Sequence, residues 1–278
     1  MSIAPRMVSW LALALLGLGC RSTDPQPLAA SSSKSFGSGD HRGSALTNAT
    51  EHEITLLSYN VNFGLAGSAE VVDAIAAANA DVVLLQETNE AWETGLRAAL
   101  GGRYPHIAFH HCCRAGGLGI LSRFPLSPKE VSHPDGAWFP AWRVIVDSPL
   151  GPIQTLNVHL RPKASDSGSF VVGFFTTGGN RRDEMARHVQ LLEDDLPTVV
   201  AGDFNESRRG GAVRVLDRAG LRLVVPERNT WHWQTSIGEL HAELDHVLID
   251  GRLRAVEGRV LQVGPSDHYP LLVRLRAP

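Results

Sequence analysis

Apolar residues run almost unbroken from position 54 to 59 and stop at Asn60. A short apolar run bounded by polar residues is the mark of a strand buried on both faces. After it, Ser68 stands ahead of Val71, Val72, Ile75 and Ala78. This helical spacing, with a serine placed to cap the first turn, predicts a helix that ends before Asp81. Residues 82–86 read as a second buried strand, which presents Glu87 at its C-terminal end. The order repeats later in the chain. Asn180 is expected to cap a helix carrying Met185, Val189 and Leu192, and residues 197–202 to form a strand that ends in Asp203 and Asn205. Further strands are expected at 118–122, 142–146, 153–159, 244–249 and 271–274. Polar, chemistry-bearing side chains thus gather at strand ends. Strands interspersed with helices put the chain in the α/β class, and periodicity alone leaves a parallel doubly wound sheet open beside an antiparallel arrangement.

The N-terminus follows a different rule. Arg6 precedes an apolar run from 8 to 19 that is too short to span a bilayer and ends at Cys20, the charged and apolar regions of an export signal. Its ending resembles a bacterial lipoprotein signal with Cys20 as the lipidated residue, although Gly17 stands where that pattern usually has leucine. Secretion after ordinary cleavage is the simpler alternative. Residues 21–52 are rich in Ser, Gly, Thr and Ala without an apolar period and read as a flexible tether. This leaves 53–278 as one domain, a length that suits a single sizeable core.

Composition narrows the function. Apolar residues make up 43% of the chain and charged ones 20%, the balance of a soluble globular body. With 26 Lys and Arg against 29 Asp and Glu the net charge is -3, so no broad basic face is implied and any nucleic-acid contact must come from local clusters. Beyond Cys20 the cysteines are the neighbours Cys112 and Cys113. Adjacent cysteines bridge only through a strained ring, so two thiols, or a partner outside the chain, are expected rather than a structural staple. The run from His110 to Cys113 is not read as a zinc site, because successive side chains of an extended segment face opposite ways.

Six islands carry the candidate chemistry: SYNVN at 58–62, QE at 86–87, NVHL at 157–160, GDFN at 202–205, LDH at 244–246 and SDH at 266–268. Together they supply carboxylates, amides and imidazoles, a donor set that suits a hard cation such as Mg²⁺ and leaves room for a phosphate. No serine, cysteine or threonine is placed as a nucleophile, which points to one-step attack by water. In this order and spacing the islands resemble the endonuclease/exonuclease/phosphatase superfamily, over residues 53–278. The resemblance implies a four-layered α/β sandwich of two packed, mostly antiparallel sheets flanked by helices. It also implies a metal-dependent hydrolase of phosphate esters, with Mg²⁺ as the cation and Mn²⁺ or Ca²⁺ as alternatives.

The resemblance also distributes roles. Glu87 is the expected direct metal ligand, with Asn60 supporting the metal or its water and Asp267 near it. His268 is the expected general base, its other nitrogen held by Asp245. Asp203 and Asn205, at alternate positions of an extended chain, are expected to face one side and grip one phosphate together. His159 is expected across the site, donating to a phosphoryl or leaving oxygen. Asn62 reads as a loop residue with a minor part, and His246 as a packed or exposed neighbour.

Three functions compete. A secreted or surface-anchored nuclease acting on DNA or RNA is favoured by Arg161, Lys163, Arg208 and Arg209, placed beside the islands to guide backbone phosphates. A lipid or small-molecule phosphodiesterase of the sphingomyelinase kind is supported by Phe170, Val171, Val172, Phe174 and Phe175, an apolar loop that could touch a membrane. A catalytically silent binding module would not need all six islands. No protein partner is expected, and the chain is expected to be a monomer at the cell envelope or outside the cell.

Overall fold

Two strand–helix–strand passages organise the computed structural model, which describes residues 52–162 apart from Gly136, and 178–278 apart from Ile237. In the first passage β1 (Glu53–Asn60) leads through α1 (Ala69–Ala78) to β2 (Val82–Thr88), and the two strands pair in parallel with Asn60 opposite Gln86. Ser68 caps α1 as expected, its hydroxyl accepting from the Val71 amide. In the second passage β7 (Gly151–His159) leads to α3 (Gly178–His188) and β8 (Thr198–Asp203), again parallel, with His159 opposite Asp203. The export signal, Cys20, the tether, Lys163 and the apolar loop with Phe170 and Phe175 lie outside the described residues.

Each parallel pair sits inside a six-stranded sheet whose other neighbours are antiparallel. The first sheet adds α2 (Glu90–Leu100) and β3 (His106–His110), β4 (Gly117–Ser122), β13 (Arg254–Val260) and β14 (Leu271–Arg276), in the order β13-β14-β1-β2-β4-β3. The second adds β5 (Leu126–Ser132), β6 (Ala141–Ser148), α4 (Gly211–Arg218), β9 (Arg222–Leu223) and β12 (Asp245–Ile249), in the order β5-β6-β7-β8-β12-β9. A separate hairpin of β10 (Trp231–Thr235) and β11 (Gly238–Ala242) completes the described strands. The expected fold, two mostly antiparallel sheets in a sandwich, is the one observed.

Alternation along the strands explains the layering. Leu56 and Leu84 join Val144, Val199 and Val247 in a core that draws on both sheets. Their neighbours Leu57, Val83 and Leu85 pack with Val71, Ile75, Trp92 and Leu96 of α1 and α2. On the second sheet, Leu156, Val200 and Leu248 pack with Met185, Ala212 and Leu216 of α3 and α4. Three apolar layers thus separate four layers of secondary structure, and truncating any one of these leucines to alanine removes about 2–5 kcal/mol. The sheets are also stitched by polar groups: Gln86 Nε2 donates to Asn157 Oδ1 at 2.7 Å, and Asn157 Nδ2 donates to the Leu85 carbonyl at 2.9 Å. Every such bond inside a core fixes register, because breaking one strands a buried polar atom.

One helix departs from expectation. α3 begins at Gly178, so Asn180 lies within it instead of capping it, and Val189–Leu191 continue as a 3₁₀ turn. Its buried residues are Arg181, Glu184, Met185 and His188. These recur at helical spacing, but most are polar and gain their burial through partners, with Glu184 accepting the backbone amides of Trp138 and Arg161. The apolar positions Met185, Val189 and Leu192 locate the helix and pack on the core, but they do not reveal its polar buried face. Among the described residues no helix is long and apolar enough to cross a membrane.

Candidate active site

The tips of the two parallel strand pairs meet, and backbone strain aims their side chains. Glu87 sits at a bulge, where the β2–β4 register shifts between Gln86 and Thr88, in the left-handed region at φ 61°. Asn62 at φ 59° and Asn205 at φ 51° turn the chain after β1 and β8 in the same manner. Non-glycine residues held there cost of order 1–3 kcal/mol each, which the surrounding packing must offset. At Gly202 the requirement is absolute: its φ is 144°, and a Cβ would stand 2.0 Å from the Val158 carbonyl oxygen of the paired strand. The glycine of the GDFN island therefore lets β7 and β8 approach, bringing His159 beside Asp203.

The Asp203 carboxylate is the centre of the site. Its Oδ2 lies 3.1 Å from Asn60 Nδ2, 3.5 Å from His159 Nε2 and 3.6 Å from His268 Nε2. Asn60 Nδ2 also donates to Glu87 Oε1 at 3.1 Å, so one amide joins the two acids across the sheet interface. Behind His268, Asp245 accepts from Nδ1 at 2.9 Å and from the Thr230 hydroxyl at 2.7 Å. Asp267 accepts from Asn62 Nδ2 at 2.8 Å and from Trp231 Nε1 at 3.1 Å. Adjacent Asp267 and His268 thus point to different partners, as their extended spacing requires. His159 is held from behind, Nδ1 lying 3.2 Å from the Ala115 carbonyl and the ring stacked on Phe139 with centroids 4.2 Å apart.

The eight sequence-selected residues, Asn60, Glu87, His159, Asp203, Asn205, Asp245, Asp267 and His268, come to one place, but not all in the expected way. Strand β8 ends at Asp203, so Asn205 does not continue an extended chain. Its Nδ2 donates to the Leu160 carbonyl and its backbone amide to Asp203 Oδ1 at 2.8 Å. Asn205 therefore braces Asp203 and the end of β7. Asn62 takes a larger part than its loop position suggests, because it holds Asp267. Arg208 is committed elsewhere, its guanidinium bonded to Glu243 and to the Val225 carbonyl. His246 packs as expected, bonded to the Glu206 carbonyl at 2.8 Å. Sequence reasoning missed Thr230, Trp231, Phe139 and Ala115. Only Trp231 carried a visible signal, as an aromatic in a polar stretch close to LDH.

Burial and charge divide the two imidazoles. Burial depresses the His159 pKa, and the attraction of Asp203 does not restore it. At His268 burial pulls the same way, but Asp245, then Asp203, and the Asp245 hydrogen bond lift it well above the ordinary value of 6.5. Burial also raises Asp203 and Glu87. The expected outcome is that, by proton NMR of the cation-free protein, the His268 ring titrates at clearly higher pH than the His159 ring. A histidine whose folded pKa is raised stabilises the fold fully below its unfolded value, and that contribution is lost as pH rises through the folded one. His268→Gln should therefore lessen the fall of stability on the alkaline side of pH 6.5. Coincident titration of the two rings would contradict this division.

The donor chemistry fits a hard divalent cation. Buried carboxylates with raised pKa values lack sufficient positive charge nearby, a deficit that a cation removes. Asp203, Asp245 and His268 offer ligand atoms within 4.8 Å of one another. However, Asp245 already serves His268 and Thr230, which makes it a positioning group. Glu87, about a fifth exposed, shares Asn60 with Asp203.

The geometry has counterparts among known proteins. No curated protein matches the chain in sequence. A solved endonuclease/exonuclease/phosphatase from Beutenbergia cavernae DSM 12333 is similar in fold, with a TM-score of 0.63 at 18% identity over 81% of this chain and 72% of that one. Truncated Caenorhabditis elegans TDP2 aligns with a TM-score of 0.62 at 16% identity over 81% of this chain and 98% of that one. ANGEL2, a 2',3'-cyclic phosphatase solved with adenosine-2',3'-vanadate, aligns at 0.59 with 15% identity over 82% and 97%. At these identities the likeness establishes the fold. The model of the Endonuclease/Exonuclease/phosphatase family matches residues 57–268, a span that takes in all eight site residues, and the chain belongs to that family of metal-dependent phosphoesterases.

Proposed function

We propose that the chain is an exported, Mg²⁺-dependent nuclease-type phosphodiesterase, held at the cell envelope through Cys20 or secreted. The observation that carries the catalytic part is the convergence of Glu87, Asp203 and His159, at the tips of both parallel strand pairs, with the oppositely tuned His268 on the loop before β14. When bound, the cation would be held by Glu87, Asn60 and Asp267 and would neutralise phosphoryl oxygens. The protein's own groups then do the rest. Asp203 orients a water, and neutral His268, steadied by Asp245 through Nδ1, takes its proton at Nε2. The water oxygen bonds to phosphorus as the ester P–O bond breaks, and the leaving oxygen departs opposite. His159 Nδ1 is committed to the Ala115 carbonyl, so Nε2 can donate only in the imidazolium form. An arriving phosphate dianion or diester anion favours that form and draws a hydrogen bond from it.

A nucleic-acid substrate is supported by the rim. The Arg161 guanidinium lies 4.7 Å over the Trp138 ring, and Trp231, which donates to Asp267, lies parallel to Trp233 with centroids 6.5 Å apart. Aromatic faces beside cations suit bases joined by phosphates. The lipid reading keeps one observation in its favour, the 52% exposed Leu240 paired across the hairpin with Trp233. The test is incubation of the full chain with Mg²⁺ and either DNA or sphingomyelin vesicles, with and without EDTA. EDTA-sensitive cleavage of DNA is expected. Cleavage of lipid alone would transfer the site to the second reading, and hydrolysis of neither would restore the silent module.

A further inference from the structure

We propose that Cys112 and Cys113 are a redox-convertible thiol pair that controls the seating of His159; the catalytic consequence rests on the role given to His159 above. The two Sγ atoms stand 2.7 Å apart and both residues are half-buried. The chain is anchored on either side of them. Upstream, His111 Nε2 lies 2.6 Å from Glu93 Oε2 and its ring stacks on Phe109. Downstream, the Cys113 carbonyl accepts the Gly116 amide at 2.9 Å, closing the 3₁₀ turn Arg114–Gly116, which starts with Arg114 in the left-handed region at φ 49°. Anchoring at both ends keeps the sulfurs together and raises their effective concentration for each other.

The same turn is the wall behind His159. Ala115 supplies the carbonyl that fixes the Nδ1 tautomer. A Cβ on Gly116 would stand 3.3 Å from each sulfur and 2.8 Å from the Phe139 ring, which stacks on His159. The thiol pair, Gly116, Phe139 and the imidazole are therefore one packed column.

Closure needs an oxidant, and a low-molecular-weight disulfide supplies it. The thiolate of one cysteine attacks that disulfide, forming a mixed disulfide and releasing one small thiol. The second thiolate then displaces the other. Two protein thiols become one Cys112–Cys113 bond, and the small disulfide becomes two thiols. A bond between adjacent residues has to reshape the peptide that links them, which moves the Ala115 carbonyl. The ring's strain keeps the bond easily reduced, so the change is reversible.

The test uses the full chain treated with oxidised glutathione, then alkylated and digested with trypsin. Residues 104–114 leave as one peptide between Arg103 and Arg114. The expected wild-type peptide is two hydrogens lighter and free of glutathione, whereas Cys112→Ser and Cys113→Ser each retain a glutathione adduct on the remaining thiol. A wild-type peptide with two alkylated thiols, or with two adducts, overturns the pairing. The His159 ring resonance, assigned with His159→Gln, should shift on oxidation, return on reduction and stay still in the doubly substituted Cys112→Ser, Cys113→Ser protein. Hydrolysis should fall about tenfold or more in parallel, because displacing a catalytic group by an ångström costs up to ~10²-fold. A bridge that leaves the resonance unmoved overturns control of His159. A bridge that moves the resonance with no loss of hydrolysis overturns the catalytic role of His159 instead.

Discussion

Asp203→Asn is expected to lower kcat by roughly 10³-fold or more, since a group that orients the nucleophile and faces developing charge supplies about 10²–10⁴ of the rate. The same change should leave the melting temperature unaltered or raise it. In the resting protein this carboxylate is buried, its pKa is raised, and it shares its surroundings with Asp245 and Glu87. Removing an undercompensated buried charge relieves a cost, which offsets the loss of one of the two bonds that the carboxylate accepts, from the Asn205 amide at Oδ1 and Asn60 Nδ2 at Oδ2. Activity lost together with stability would mean that Asp203 is a structural residue. Activity retained would mean that the phosphate does not sit between Asn60, His159 and His268. Thermal melts and single-turnover hydrolysis on one sample separate these outcomes.

The second large effect concerns Asp245 and His268 as a unit. Asp245→Asn should cost roughly 10²-fold or more and His268→Gln about 10³-fold, because a general base needs both its proton affinity and its tautomer set. The double variant should be no worse than His268→Gln alone, since groups that act as one are grossly non-additive. The structural reason is the 2.9 Å contact between His268 Nδ1 and Asp245 Oδ2, itself held by Thr230. The pH profile of Asp245→Asn adds a readout that a packing role would not move. Its acidic limb should shift to lower pH, because the carboxylate that lifts His268 is gone. Losses that multiply in the double variant would show that the two residues act separately.

Much of this was legible in the chain, for identifiable reasons. Strands such as Val82–Thr88 and Thr198–Asp203 are buried on both faces, so an unbroken apolar run marks them and its end marks the site residue. The helix Ala69–Ala78 has an apolar stripe and a serine cap, and it formed where both predicted. α3 was found through Met185, Val189 and Leu192, which pack on the core. Its start was set late, after Gly178, and its buried Arg181, Glu184 and His188 were not anticipated, because the burial of these three depends on partners distant in sequence. Asn205 was misread for a local reason. Alternation holds only while the strand lasts, and the strand ends at Asp203, with Asn205 itself in the left-handed region. The arginines beside the islands looked equivalent as sequence, yet a carboxylate 35 positions away takes Arg208 out of the site. Supporting groups such as Thr230 and Ala115 act through a hydroxyl and a backbone carbonyl, which no residue type advertises.

The most direct measurement is calorimetric titration of the full chain with Mg²⁺, compared with Glu87→Gln. One saturable binding event is expected in the wild-type chain, and at least a tenfold weaker event in the variant. Equal binding by both proteins, or none by either under conditions where phosphodiester hydrolysis proceeds, would contradict it.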